Sequence, residues 1–224
     1  MLDLSLQGIL ERLLVFIPVL LLSLTVHEFA HAWTARRYGD DTAERLGRLT
    51  LNPLAHADPV GTFILPLLNV PFGWAKPVPV NPARFRRGVS MAAGMMWTSL
   101  AGPIANVLLA LASTVVLGLL LRVAPASGGG VGMHGTGGIV ALFLWRMMQM
   151  NVVLAVFNLL PIPPLDGSRV VDAFLPSRWR HQWEAFSRYS MFLLLALVFL
   201  GWRLVAVPVN AAMNGLLHIL GAIA

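Results

Sequence analysis

Long apolar runs, separated by short polar segments marked with proline, make up almost the whole chain. A helix needs about 20 consecutive apolar residues to cross the hydrocarbon core of a bilayer. Runs of that length lie at about 8–38, 89–122, 139–162 and 187–207. The last stretch, 209–223, is short for a crossing and reads as interfacial. Residues 60–82, which count as the second apolar segment in chain order and make 187–207 the fifth, carry Pro66, Pro71, Pro77, Pro79 and Pro82. Proline removes backbone donors and biases the preceding residue towards extended geometry. A re-entrant, strand-like loop is expected there, shielded by protein or a water-filled cavity. The pattern predicts an all-α polytopic membrane protein of about four to six transmembrane segments, with residues 1–224 as one membrane-embedded domain.

Composition sharpens this picture. Hydrophobic residues make up 57% of the 224 positions and charged residues 12%, against about 25% charged in soluble domains. With no cysteine, disulfide frameworks and thiolate metal sites are excluded. The net charge of +6 comes from arginines and Lys76 that fall at the ends of apolar runs, as headgroup anchors and topology signals do, so nucleic-acid binding is not expected. Arg36, Arg37, Arg45 and Arg48 lie in the first loop, Lys76, Arg84, Arg86 and Arg87 flank the second, and Arg169, Arg178, Arg180 and Arg188 precede the fifth span. The positive-inside rule therefore puts the loops 36–87 and 169–188 in the cytoplasm and the N-terminus outside. The first apolar run lacks the basic start and small-residue cleavage site of a signal peptide and is expected to be retained. The preference for arginine over lysine suggests a bacterial cell (inner) membrane.

Two polar clusters sit at the cytoplasmic ends of apolar runs. "HEFAH", residues 27–31, matches H-E-x-x-H. Histidines four apart share a helix face, so His27 and His31 can bind one ion, and a catalytic zinc takes three protein ligands plus water. Glu28, one residue round the helix, is placed to take a proton from that water and return it to a leaving amine. Ionisable groups inside a membrane cost about 2.5 kcal/mol or more each, which favours a functional reading. For the third ligand Asp166 is the best candidate, in "LDG" after a proline-broken apolar run; Asp58, Glu44 and Asp172 are weaker rivals. Asn106 and Asn158, buried and polar, each need a partner or a role. Asn106 suits hydrogen bonding between helices, and Asn158 suits contact with substrate or an oxyanion. Asn151 shares the face of Asn158 and is read as packing.

"HEFAH" at 27–31, "AGPIAN" at 101–106 and "NLLPIPPLDG" at 158–167, in this order and in apolar segments, resemble the site-2 protease family of intramembrane zinc metalloproteases. The resemblance runs from about residue 10 to 205. It implies one Zn2+ ion bound by His27, His31 and Asp166, Glu28 as catalytic base, and Asn158 and Asn106 at the substrate side of the site. It also implies hydrolysis of peptide bonds in single-span membrane proteins within the lipid bilayer, with residues 60–82 receiving an unwound substrate. A homodimer is compatible with the sequence. The 16-residue glycine-rich loop between the third and fourth spans has no room for a PDZ-like insertion, and no nucleotide-sensing domain is expected. "DGS" at 166–168 departs mildly from a double glycine. A membrane protease of the prenyl-processing type would use a glutamate as third ligand, and a transporter would need ionisable groups along a path rather than at one depth. A catalytically idle homologue that binds membrane proteins would have no use for Glu28.

Overall fold

The structure, a computed structural model, describes residues 5–68, 70, 73–123, 136–199 and 201–224. Helix α1 runs through Leu6–Glu11, a wider π-type turn at Arg12–Phe16, and Ile17–Arg37. Helices α2 (Met91–Val123), α3 (Thr136–Asn158), α4 (Asp166–Phe174), α5 (Arg180–Phe199) and α6 (Trp202–Ile223) follow. The stretches Gly8–Arg37, Met91–Val123, Gly137–Asn158 and Arg203–Ile223 are long and apolar enough to cross a membrane. The fold is all-α and polytopic, with no strand among the described residues.

Helix α2 is the centre of the bundle and packs against α1, α3, α4 and α6. Its inner face is small or polar: Gly94, Thr98, Ser99, Gly102, Asn106, Ala110, Ser113, Thr114 and Gly118 are buried. Its outer face carries Ile104, Val107, Leu108, Val116 and Leu119, all exposed. Lipid tails solvate large apolar side chains as well as a protein core does, so association in a membrane rests on close backbone approach and interhelical hydrogen bonds. One apolar cluster joins Ala110, Met148, Val152, Val205, Val209 and Leu216 across α2, α3 and α6. A second joins Val15, Val19 and Met147 across α1 and α3.

The loop from 38 to 90 returns along the end of α1. Gly39 ends the helix at φ +107°, and a Cβ there would lie 3.0 Å from Arg86 N, so glycine is required for both the turn and the approach. Arg86 N donates to Tyr38 O at 2.7 Å. Asp40, 1% exposed, accepts from Asn81 N at 2.6 Å and Thr42 N at 3.0 Å and faces Arg84 at 3.9 Å.

Three expectations need correction. The proline-rich segment begins as helix: Pro59–Ile64 and Leu65–Leu67 are helical. Pro59 opens this helical run, where the missing N–H has no intrahelical partner to lose, and Pro66 sits where its π-type part passes into the α-helical part. Only 73–81 is irregular and extended, and it forms no strand; residues 69, 71 and 72 lie outside the described residues. The run 187–207 is not one helix. It breaks at Gly201, whose N–H closes the end of α5 on Ala196 O and Leu197 O at 3.1 and 3.0 Å. The stretch 209–223 is therefore part of the 22-residue helix α6, which continues through Pro208. Helix α3 ends at Asn158 rather than 162, before a turn with a cis Pro163–Pro164 bond. Most of the glycine-rich loop lies outside the described residues.

Removing the carboxylate that pins this loop to α1 leaves two partly buried N–H groups, of Asn81 and Thr42, without their acceptor. Asp40→Ala should cost about 1–2 kcal/mol, visible as a lowered thermal unfolding midpoint in detergent at unchanged helical content.

Candidate metal centre

Helix α1 places His27 and His31 one turn apart, both buried at 4% and 7% exposure. Asp166 arrives from the other end of the sequence. After Asn158 the chain folds back, with Leu165 N bonded to Ile162 O and Ser168 N to Leu165 O. A Cβ on Gly167 would lie 2.3 Å from Leu159 O, so the glycine of "LDG" is what allows this tight return. Asp166 thereby opens α4 with its carboxylate over the imidazole pair, in a first turn where the helix dipole favours an anion.

The three ligand-type atoms form a small triangle. His27 Nε2 and His31 Nε2 are 3.0 Å apart, and Asp166 Oδ2 lies 3.2 and 3.3 Å from them. Zinc binds imidazole nitrogen and carboxylate oxygen at about 2.0–2.1 Å in tetrahedral geometry, which separates ligand atoms by roughly 3.3 Å. The triangle therefore matches three corners of a zinc tetrahedron and leaves a fourth open. Asp166 Oδ2 is buried and makes no well-aligned hydrogen bond, as a metal ligand would. Among the described residues, this is the group of histidine and acidic side chains arranged to hold an ion.

Each imidazole is oriented through its second nitrogen. His31 Nδ1 lies 2.7 Å from Thr98 O and His27 Nδ1 lies 2.6 Å from Asn106 Oδ1. Both oxygens can only accept, so both Nδ1 atoms carry the proton and both Nε2 lone pairs face the triangle. Glu28, 8% exposed, accepts from Val78 N at 2.7 Å, which ties the extended 73–81 segment to the centre. The same segment is held by Lys76 N to His56 O at 2.8 Å and by Arg48 to Lys76 O.

The remaining expectations sort themselves by geometry. Asn106 is fully buried, and its amide meets His27, Asn151 and Ser23 O. Its amide is thus engaged inside the bundle, with His27 on one side and α3 on the other. Asn158 is half-buried at the end of α3 and donates to Leu154 O at 3.0 Å. The rival third ligands are engaged elsewhere: Asp58 caps Val60 and Gly61, Glu44 pairs with Arg36 at 2.5 Å, and Asp172 pairs with Arg169 at 3.5 Å. Sequence reasoning missed Gly102. A Cβ there would lie 2.5 Å from His31 Nε2 and 2.6 Å from His27 Cε1. Its signal was present in "AGPIAN", where Gly102 stands one helical turn before Asn106.

A polytopic helical membrane protein with a buried His-His-Asp triangle beside an H-E-x-x-H helix is the frame of a membrane metalloprotease. The comparisons agree: the Peptidase family M50 profile matches residues 128–201. "Putative zinc metalloprotease YwhC" of Bacillus subtilis is 38% identical over 206 residues, covering 91% of this chain and 90% of that protein. Such an alignment leaves too few residues outside it to omit either His27 or Asp166. Rip2 of Mycolicibacterium smegmatis, which carries the same description, is 37% identical over 164 residues, 72% of this chain and 58% of its own length. Rip2 of Mycobacterium tuberculosis H37Rv is 31% identical over 186 residues, 82% and 67% of the two chains. No solved structure matches. The chain belongs to the site-2 protease family, Peptidase family M50.

The contact between Gly102 and both imidazoles makes a direct test. Gly102→Ala should push the rings apart and weaken zinc binding at least about 10-fold. Chelator competition in detergent would measure it, with helical content kept.

Proposed function

We propose that this chain is an intramembrane zinc endopeptidase that hydrolyses peptide bonds of single-span membrane proteins near the cytoplasmic boundary of a bacterial cell membrane. The single observation that carries the reading is the triangle of His27, His31 and Asp166 with Glu28 on the same helix. One Zn2+ ion held there would lower the pKa of water to about 7 and polarise a substrate carbonyl.

The chain's own residues do the rest. One oxygen of Glu28 accepts from Val78 N–H, which fixes the carboxylate and leaves its other oxygen to take a proton and deliver it to the leaving amine. Asn158, half-buried at the end of α3, donates one amide hydrogen to Leu154 O and has a second to offer a substrate. A substrate helix hides its amides in internal bonds, so it must unwind before attack. The extended 73–81 segment, tied to Glu28, offers an edge for the unwound peptide. Its N–H groups at Lys76 and Val78 are taken by His56 O and Glu28, while Pro77 and Pro79 have none. The carbonyls of Trp74 and Lys76 are taken by Thr62 and Arg48, so an unwound peptide would pair with the backbone groups that remain between and beyond them.

Depth follows from helix geometry. His31 precedes Arg36 by five residues and His27 by nine, about 8 and 14 Å along a helix. If Arg36 and Arg37 mark the boundary by the positive-inside rule, the centre lies on the order of 10 Å inside the cytoplasmic face.

Glu28→Gln keeps the size and the acceptor for Val78 N–H but removes the base. The variant should retain zinc and lose cleavage of a panel of model single-span substrates by about 100-fold or more. Cleavage by the variant at the wild-type rate would remove Glu28 from the chemistry. Zinc bound by both with no cleavage by either would favour a binding role.

A further inference from the structure

A buried chain of amides lies behind the centre. Asn106 Oδ1 faces His27 Nδ1 at 2.6 Å, and Asn106 Nδ2 donates to Asn151 Oδ1 at 2.7 Å and to Ser23 O at 3.3 Å. Asn151 Nδ2 in turn donates to Met147 O at 2.8 Å and to Ser23 Oγ at 2.9 Å. Asn106 and Asn151 are both 0% exposed, and they connect α2 and α3 to the middle of α1.

The polarity of this chain matters because an asparagine amide can be turned over at little steric cost. With Asn106 reversed, its NH2 would face His27 Nδ1. That nitrogen would then have to accept, and the ring proton would move to Nε2, blocking the lone pair that faces His31 and Asp166. Two asparagines facing each other can reverse together, so the pair alone does not choose. Two backbone carbonyls do. Ser23 O and Met147 O can only accept, and each sits where it needs an NH2, one from Asn106 and one from Asn151. Reversal would set carbonyl against carbonyl at both places, in a low-dielectric interior where unpaired polar groups cost most. His31 reaches the same state by a shorter route, directly on Thr98 O.

We infer that Asn151 is a positioning residue for the metal centre: anchored on Met147 O and Ser23 Oγ, it locks the Asn106 amide and thereby fixes His27 in the tautomer whose Nε2 is free to bind zinc. The inference rests on the metal reading of His27, His31 and Asp166 for its affinity consequence, but the tautomer it assigns is independent of any metal.

The test is a double-mutant cycle read as zinc affinity by chelator competition in detergent. Asn151→Leu, close in volume, should lower affinity about 10–100-fold, the usual effect of losing a group that orients a ligand. In an Asn106→Asp background the acceptor for His27 Nδ1 is a carboxylate and has no amide to reverse, so the same substitution should then change affinity less than about 2-fold. An equal loss in both backgrounds would make Asn151 merely structural, and wild-type affinity in Asn151→Leu would overturn the inference outright. If Asn151→Leu fails to fold, Asn151→Ser replaces it under the same expectations. The 15N shifts of the His27 ring in the wild-type, metal-free protein, at a pH where the imidazole is neutral, give a reading that needs no variant. A proton on Nδ1 is expected, and a proton on Nε2 would overturn the lock. A wild type that binds no zinc yet carries the Nδ1 proton would sink the metal reading and leave the lock standing.

Discussion

The fold depends on one constraint: two imidazoles and a carboxylate are brought within 3.3 Å of one another in an apolar bundle, and the polar atoms turned away from that triangle need partners. Water satisfies such groups at a soluble surface. Inside a membrane the protein must do it, because an unpaired polar group there costs several kcal/mol. Helix α2 meets the requirement from one side with the Thr98 carbonyl, the Asn106 amide and a glycine where any side chain would strike the rings. The turn into α4 meets it from the other, and Gly167 is what lets that turn close.

The same logic explains why a loop outside the bundle is so firmly held. Residues 73–81 carry two prolines, Pro77 and Pro79, which disfavour a helix and remove two donors. Four of the remaining donors anchor it: Trp74 to Gly61 O, Lys76 to His56 O, Val78 to Glu28, and Asn81 to Asp40. The segment is thereby fixed against the centre at Glu28 and against the end of α1 at Asp40. A single carboxylate thus belongs both to the proposed chemistry and to the placement of the proposed substrate edge, which couples the two physically.

The parts of this architecture that were legible in the sequence are those governed by local periodicity. Histidines four apart on an apolar helix announce a shared face, and an aspartate after a proline-broken helix announces a polar end on the same side. Three of the four long apolar helices follow from run length, but the fourth, Arg203–Ile223, joins the end of a run read as closing at 207 to a stretch read as interfacial. Hydropathy is smooth from Tyr189 to Val207, and only Gly201 marks the break between α5 and α6. Prolines in the 60–82 stretch were read as barriers to helix, but Pro59 opens a helix where no intrahelical donor is missing, and Pro66 falls where its π-type part passes into the α-helical part. Asn106 and Asn151 were visible as polar residues in apolar runs. Which partner each has depends on how α1, α2 and α3 pack, which no local pattern records. Gly102 was hidden for the same reason, since its importance lies in what it lets approach.

The account stands or falls on zinc at the triangle. X-ray absorption at the zinc edge of the purified protein tests this most directly. The account predicts one ion per chain, with scattering from two imidazoles and two oxygens at about 2.0–2.1 Å, and loss of that signal in Asp166→Ala. A protein that takes up no zinc, or zinc with an all-oxygen shell that survives Asp166→Ala, would contradict it.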